Sequence, residues 1–178
     1  VSYFGPQYWD TGVIRVLSGD DGSEHYSIAG EILSGQCSLA GGDIDGDGVA
    51  EIIAITYFQE VKAFEHDGTL KWTSVQLTDH INGEADAPTI ADLDGDGSPE
   101  ILAGRAILNA DGSVRGTGGY GMAGGGDLNV GTAPGAADID GDGGQEVIVG
   151  TTAYAPAGFM RCASAQAAGH PAGPALLG

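Results

Sequence analysis

The sequence predicts an all-β fold built from internal repeats, and three observations support this prediction. Short apolar runs rich in Val, Ile and Leu alternate with glycine-containing turns along most of the chain. Helical periodicity is missing, since the Ala-rich stretch at residues 163–175 is interrupted by Gly and Pro. One acidic pattern occurs three times, starting at Asp43, Asp92 and Asp138. This spacing of 46 to 49 residues is typical of stacked structural repeats.

Asp-Gly pairs between apolar runs predict a tight turn in each repeat. They are Asp21-Gly22, Asp67-Gly68 and Asp111-Gly112. Asp-Gly is a strong hairpin signal because both residues tolerate a positive φ. Each repeat is therefore a loop followed by strands that are joined by turns. A period of about 45 residues with several strands predicts the blades of a β-propeller, with about three to four blades of antiparallel strands.

The repeats divide the chain into five segments. Residues 1–36 are an N-terminal segment with a partial blade, residues 37–84, 85–131 and 132–155 carry the first, second and third acidic loops, and residues 156–178 are an Ala/Gly/Pro-rich tail. Known propellers have four to eight blades, whereas 178 residues at about 47 per blade give fewer than four. We therefore expect a ring that is incomplete, closed by the C-terminal segment, or completed by another chain.

The composition is strongly acidic and excludes two classes of partner. The 178 residues include 25 Asp and Glu but only 6 Lys and Arg, which gives a formal net charge of −19. Phosphate backbones repel such a chain, so nucleic-acid binding is excluded. No apolar run approaches the 18 residues of a membrane span, so membrane insertion is not expected.

The acidic loops have the chemistry of a calcium site. In the first copy, Asp43, Asp45 and Asp47 alternate with other residues, and Glu51 follows four positions later. Alternate carboxylates on a backbone curled by glycine converge on one point, which suits a hard cation that takes six to eight oxygen ligands. An EF-hand would need a Glu at position 12, where the copies have Ala or Val, and an apolar strand follows each loop.

These loops resemble the FG-GAP and VCBS repeats of integrin α-chain propellers and of many secreted bacterial proteins. The resemblance covers about residues 13–150 and rests on Asp-x-Asp-Gly-Asp-Gly-x-x-Glu, on Ala-Pro-x-x-Ala before two copies, and on the strand behind each loop. It implies about three Ca²⁺ ions, held by the Asp at positions 1, 3 and 5, the backbone carbonyl of position 7 and the acid at position 9. The implied ligands are Asp43, Asp45, Asp47, Val49 and Glu51; Asp92, Asp94, Asp96, Ser98 and Glu100; and Asp138, Asp140, Asp142, Gly144 and Glu146.

We expect a non-catalytic, calcium-binding extracellular module that acts as a structural or adhesion scaffold in a surface assembly or filament. Extracellular calcium can fill weak sites of this kind, whereas cytosolic calcium would leave many empty, so a secreted or cell-surface location is expected. Open strand edges predict self-association or a protein partner. Tyr3, Phe4, Tyr8 and Trp9 are the predicted contact, with contact to the chain's own first blade as an equal alternative.

A carbohydrate-active or carbohydrate-binding propeller is the alternative function. Residues 104–112 and the Gly-rich segment after them are similar to the calcium-loop propellers of rhamnogalacturonan lyases. The sequence has no catalytic constellation, so no enzyme activity is expected.

Three further features have weaker functional interpretations. Residues 119–124 match G-x-G-x-x-G, but no apolar strand precedes them and no helix follows, so a dinucleotide site is not indicated. Trp72 is expected mainly in the core of a blade, with sugar stacking as the minor alternative. Cys37 and Cys162 allow one disulfide at most, and a pair or two separate thiols are equally compatible with the sequence.

Overall fold

The computed structural model describes residues 2–3, 12–81, 85–118, 131–150, 152–154 and 162–164, and within them the chain is all-β. The strands are β1 (Ser2–Tyr3), β2 (Gly12–Leu17), β3 (Glu24–Leu33), β4 (Ala40–Gly42), β5 (Glu51–Ile55), β6 (Val61–Phe64), β7 (Leu70–Thr73), β8 (Thr89–Ala91), β9 (Glu100–Ala103), β10 (Ala106–Leu108), β11 (Val114–Thr117), β12 (Gly135–Ala137), β13 (Glu146–Val149), β14 (Thr152–Tyr154) and β15 (Cys162–Ser164). None of the described residues is helical, so none of them forms a helix that could span a membrane.

The strands form antiparallel sheets in which each strand pairs with its neighbour in the sequence. Sheet 1 contains β1–β3, and sheets 2, 3 and 4 contain β4–β7, β8–β11 and β12–β15. Consecutive antiparallel strands need only short connections, which the repeated turn signals predicted. Sheets 2, 3 and 4 each contain one copy of the acidic pattern.

The Asp-Gly pairs form the predicted hairpin turns. Gly22, Gly68 and Gly112 have φ values of 74°, 88° and 81°, which side chains rarely adopt. The carboxylate before each glycine accepts a backbone N–H two residues further on, as in the 2.9 Å bond from Thr69 N to Asp67 Oδ1. The position of each hairpin turn is therefore confirmed, but only the glycine of each pair adopts a positive φ, while the Asp stabilises the turn through its side chain.

Each acidic segment joins the first two strands of its sheet. The residue before each segment and the last residue of the segment are direct cross-strand partners, namely Gly42 and Glu51, Ala91 and Glu100, and Ala137 and Glu146. The last acid of each segment is thus the first residue of β5, β9 or β13. The three segments close in the same register, which explains why the pattern repeats without gaps.

The sheets stack in chain order, and sheets 2 and 3 each have neighbours on both faces. In β5, Ile53 and Ile55 are buried in a cluster with Ile101 of sheet 3, whereas Ala54 belongs to a cluster with Ile14 of sheet 1. A third cluster joins sheet 3 to sheet 4. Successive side chains of a strand point to opposite faces, so a strand that is covered on both faces is apolar at nearly every position.

An aromatic residue in the last strand of one sheet contacts the hairpin turn of the next sheet. Trp72 Nε1 donates to the Ala110 carbonyl at 2.9 Å, and a Cβ at Gly112 would lie 2.6 Å from the indole ring. The Tyr26 hydroxyl likewise donates to a carbonyl in the next turn, where a Cβ at Gly68 would lie 3.0 Å from the phenol ring. Trp72 is therefore a residue of the inter-sheet contact, in agreement with its main predicted role.

Several predicted features fall outside the described residues or differ from the prediction. The predicted N-terminal aromatic contact lies outside the described residues, since this holds for Phe4, Tyr8, Trp9 and the side chain of Tyr3. The Gly-rich motif at 119–124 and the side chain of Cys162 lie outside them too, whereas Cys37 is buried. β15 lies within residues 156–178, for which the sequence predicted a tail, and it pairs with β14. The three residues of β15, Cys-Ala-Ser, carry little sequence signal, because the pairing of an edge strand is supplied by backbone hydrogen bonds and not by a local apolar pattern.

Candidate metal centres

The acidic segments 43–51, 92–100 and 138–146, called loops 1, 2 and 3, share one curled backbone. In loop 1, Gly46 and Gly48 at positions 4 and 6 have φ values of 80° and 88°. The corresponding glycines of loops 2 and 3 have φ values between 74° and 94°. A side chain at either position would be strained, so the two glycines of the motif are required by the backbone.

The Asp at position 1 is the anchor of each curl. Asp43 Oδ1 accepts the Gly46 N–H at 2.7 Å, and its Oδ2 accepts the Gly48 N–H at 2.9 Å. Loops 2 and 3 repeat this pair of bonds at 2.8 and 3.0 Å and at 2.7 and 3.0 Å, on Asp92 and Asp138. Both carboxylate oxygens therefore have fixed directions before any ion binds.

The Glu at position 9 turns back from its strand into the loop. Its Oε2 accepts the N–H of position 2 in every loop, at 2.9 Å for Glu51, 2.9 Å for Glu100 and 2.8 Å for Glu146. This bond to the loop backbone fixes the carboxylate group and leaves the second oxygen, Oε1, for another contact. Glu51 and Glu100 are also buried, with exposed fractions of 0% and 3%.

The predicted ligands converge in threes. Within each group, one carboxylate oxygen per residue lies within 4.8 Å of the others. The groups are Asp43, Asp45 and Glu51; Asp92, Asp94 and Asp96; and Asp138, Asp140 and Glu146. Loops 1 and 3 therefore bring position 9 to the cluster, whereas loop 2 brings position 5 in its place.

A hydrogen bond joins positions 5 and 7 in each loop. The Asp at position 5 accepts the N–H of position 7, at 2.7 Å for Asp47 and Val49, 2.7 Å for Asp96 and Ser98, and 2.8 Å for Asp142 and Gly144. These bonds close the second half of each loop. The position 7 carbonyl oxygen as a metal ligand stays a prediction.

Glu51 gives a direct test of whether the residues fit a cation. Its Oε1 is buried and has no hydrogen-bond partner among the described residues. A buried carboxylate oxygen without a partner carries a large desolvation cost, which a bound cation would offset. Loop 1 therefore fits a metal ion on the chemistry of its donors and on their burial.

Lys71 is a basic residue at loop 1 that the sequence analysis missed. Its ammonium lies 2.7 Å from Asp45 Oδ2 and 2.7 Å from Glu65 Oε1. The hydrogen bond from Lys71 is the main cause that lowers the pKa of Asp45. The same contacts raise the pKa of Lys71, so both groups stay charged near neutral pH.

Arg115 makes a more extensive contact with loop 2. One guanidinium nitrogen lies 2.6 Å from Asp94 Oδ2, and another donates to Glu100 Oε1. The bond from Arg115 is the main cause that lowers the pKa of Asp94. Two predicted metal ligands, at positions 3 and 9, are thus paired with one guanidinium.

Both basic residues are the extra residue of a β-bulge. In sheet 2 the pairing passes from Ala63–Trp72 to Phe64–Leu70, and in sheet 3 it makes the same step, which leaves Lys71 and Arg115 without cross-strand partners. A bulge redirects the side chain of its extra residue. The sequence signal was a base three residues after the glycine of an Asp-Gly turn.

Loop 3 has a different neighbourhood. Within the described ranges, no Lys or Arg forms an ion pair with Asp138, Asp140 or Glu146. Gln145 instead connects loop 3 to loop 2, since its Nε2 donates to the Asp92 carbonyl at 3.0 Å. The three loops are therefore alike in backbone and different in their surroundings.

A groove of about 650 Å³ lies between loops 1 and 2. Its walls include Asp45 and Lys71 on one side, Ser98 and Asp111 on the other, and the indole of Trp72. The groove therefore combines an aromatic surface with charged and hydroxyl groups next to two candidate metal loops.

The acidic loops and their strands also match a known family. Residues 43–103 match the family of FG-GAP-like repeats. The family predicted from the acidic loops is thereby confirmed over this segment. No curated protein matches the chain significantly.

Two solved structures are similar to the chain over most of its length. The V. cholerae biofilm matrix protein Bap1 is 29% identical with a TM-score of 0.69, over 85% of this chain and 24% of that chain. The rhamnogalacturonan lyase YesW is 20% identical with a TM-score of 0.51, over 79% of this chain and 26% of that chain. The chain spans about a quarter of each protein, and the second likeness concerns the fold alone.

Proposed function

We propose that the chain is a non-catalytic, calcium-stabilised repeat module of an extracellular structural or adhesive assembly. The observation that carries the proposal is the buried carboxylate of Glu51, whose Oε1 has no partner among the described residues. One carboxylate oxygen from each of Asp43, Asp45 and Glu51 lies within 4.8 Å of the other two. Such a site is stable when a cation is present. The repeated loop geometry supports one ion for each of the three loops.

Calcium is the ion that the donors favour. Every candidate ligand is an oxygen, and hard cations such as Ca²⁺ take carboxylate and carbonyl oxygens in flexible, high-coordinate sites. In each loop the ion would be held by positions 1, 3, 5 and 9 and by the position 7 carbonyl. Its role would be to join the start of the second strand to the loop that precedes it.

The net charge of the chain supports calcium binding, and the supply of calcium supports an extracellular location. Each Ca²⁺ would offset part of the net charge of −19. The millimolar calcium outside cells fills weak oxygen sites that cytosolic calcium leaves empty. The similarity to a biofilm matrix protein and the FG-GAP-like match point in the same direction.

The stacked sheets support an arrangement of propeller blades. Clusters connect sheet 1 to sheet 2, sheet 2 to sheet 3 and sheet 3 to sheet 4. We propose that a protein partner or a second copy covers the free side of such a row, with the N-terminal aromatic residues at the contact. Deletion of residues 1–10 followed by sizing in solution tests this, and a compact monomer before and after deletion would contradict it.

Chelation tests the calcium proposal. One ion at a hundredfold excess over its Kd contributes about 2.7 kcal/mol, which corresponds to about 5–10 °C in Tm for a chain of this length. We expect Tm to fall in excess chelator, starting from metal-loaded protein. An unchanged melting curve would contradict the proposal.

A matched pair of variants provides the control. One variant combines Asp43→Asn, Asp92→Asn and Asp138→Asn, and the other combines Asp21→Asn, Asp67→Asn and Asp111→Asn at the hairpin turns. Both remove three negative charges, but only the first alters the loops. We expect the calcium-dependent part of Tm to be lost in the first variant and kept in the second.

The groove between loops 1 and 2 favours a second candidate, carbohydrate binding. Its indole, carboxylates and Ser98 hydroxyl are the groups that bind the apolar and hydroxylated faces of a sugar. Incubation with pectic polysaccharide distinguishes the candidates. Unsaturated ends would establish lyase activity, and retention on the polysaccharide without products would favour binding. If neither is observed, the scaffold function alone is favoured.

A further inference from the structure

We infer that Arg115 is a built-in counter-cation of loop 2 that competes with the metal ion, so that loop 2 binds calcium more weakly than loop 1. The inference rests on the proposed calcium binding and adds an unequal filling of the loops. It concerns loops 1 and 2, because Arg161, which follows Gly158 as Arg115 follows Gly112, lies outside the described residues.

The contacts of Arg115 coincide with the atoms that a metal would need. Its guanidinium holds Asp94 Oδ2 and Glu100 Oε1, at positions 3 and 9 of the loop. Its side chain is 24% exposed and that of Glu100 only 5%, so water screens this pair weakly. A calcium ion at loop 2 would have to share these oxygens with the guanidinium or displace it.

Loop 1 is the natural comparison because it has the same bulge and a shorter base. Lys71 reaches Asp45 and Glu65 but leaves Glu51 Oε1 without a partner in the part of the chain that the structure describes. An ammonium is a compact charge, whereas a guanidinium has a planar fork of donors that can bridge two carboxylates. The identity of the bulged base therefore determines whether position 9 is free for the ion.

The sets of converging carboxylates in loops 1 and 2 differ at position 9 as well. Position 9 is in the converging group of loop 1, while loop 2 has Asp96 in that group and Glu100 is paired with Arg115. Arg115 thus compensates the charge of loop 2 without metal. At low calcium we expect loop 2 to keep its structure, while in loop 1 the Glu51 carboxylate has a negative charge that no bound cation neutralises.

Calcium titration of single variants tests the inference. The backbone N–H signals of Gly46 and Gly95, followed by NMR, report on loops 1 and 2 separately because each donates to the position 1 Asp of its own loop. We expect Arg115→Gln to tighten calcium binding at Gly95 by about fivefold to tenfold, as expected for the loss of a competing, partly buried ion pair. Gly46 should be unaffected.

Variants that exchange the two bases, and a control variant away from the loops, distinguish competition with calcium from a general effect on folding. Lys71→Arg should weaken binding at Gly46 by a similar factor, and Arg115→Lys should give a smaller tightening at Gly95. Arg15→Gln removes an exposed ion pair with Glu24, away from the loops, and should change neither signal.

The outcomes separate this inference from the proposed function. An unchanged or weakened loop 2 in Arg115→Gln, with calcium bound to the wild-type protein, would overturn the inference alone. The absence of any calcium response at Gly46 and Gly95 in the wild-type protein would overturn the proposed function together with the inference.

Discussion

Glu51→Gln should change the stability of the protein in opposite directions with and without calcium. The substitution keeps an oxygen that can accept the Ile44 N–H, which lies 2.9 Å from Glu51 Oε2. It removes a negative charge from a side chain with no exposed surface. Without metal no Lys or Arg of the described residues pairs with that charge, because Lys71 reaches Asp45 and Glu65 instead.

The magnitude follows from two opposing contributions. A buried polar group without a partner costs about 1–3 kcal/mol, and a charged group costs more, so the Gln variant should gain at least about 1 kcal/mol in chelator. With calcium at a hundredfold excess over Kd, loss of the loop 1 ion removes up to about 2.7 kcal/mol. At about 2–4 °C per kcal/mol, the expected Tm change in chelator is about +2 to +4 °C. In calcium the gain of about 1 kcal/mol offsets part of the loss of about 2.7 kcal/mol, so a net loss of about 1.7 kcal/mol should lower Tm by about 3 to 7 °C.

Thermal unfolding by calorimetry, in excess chelator and in excess calcium, measures both changes. Glu100→Gln is the matched control at the same position of loop 2. Its Oε1 is paired with Arg115, so this variant should lower Tm in chelator also. A Glu51→Gln variant that is destabilised equally in both conditions would refute the reasoning, because the buried charge would then have a partner without metal.

Three further predictions concern stoichiometry, backbone strain and pH. Asp94→Asn should lower the number of bound calcium ions by about one in a calorimetric titration, and loss of all three sites would show that the loops are coupled. Gly112→Ala should lower the free energy of unfolding by about 1–3 kcal/mol, because its Cβ would lie 2.6 Å from the Trp72 ring at a φ of 81°. Gly22→Ala, with φ of 74° and no atom within 4 Å of the added Cβ, should cost less when both variants are unfolded in a denaturant titration. Burial is the main cause that lowers the pKa of His80, so the unfolded state binds this proton more tightly and stability should fall as pH drops below about 6.5. In chelator, His80→Gln should reduce the difference between Tm at pH 7.5 and at pH 5.5, and an unchanged difference would contradict this assignment.

The sequence predicted the local features of this protein well because they depend on residues close together in the chain. The nine-residue loops form their own hydrogen bonds, from Gly46 and Gly48 to Asp43 for example, so the pattern of residues nearly determines the curl. The Asp-Gly turns behave in the same way. The all-β class and the order of strands followed from these signals and from the apolar runs between them.

The surroundings of the loops depended on tertiary structure. Lys71 reaches Asp45 across 26 residues and Arg115 reaches Asp94 across 21, because a bulge in the last strand of each sheet turns the base toward the loop. The pattern of acids alone treats the three loops as equivalent. Strand register and the length of the basic side chain make them different.

The burial of Glu51 and the contact of Trp72 also depended on packing between separate repeats. The motif placed a Glu at position 9 of every loop, but only stacking of the sheets made Glu51 fully buried and left its Oε1 without a partner among the described residues. Likewise, the sequence placed Trp72 in a strand, and the next sheet supplied the Ala110 carbonyl that its indole bonds. Local hydrogen bonds are encoded within a few residues, whereas desolvation and charge pairing arise when separate repeats come into contact.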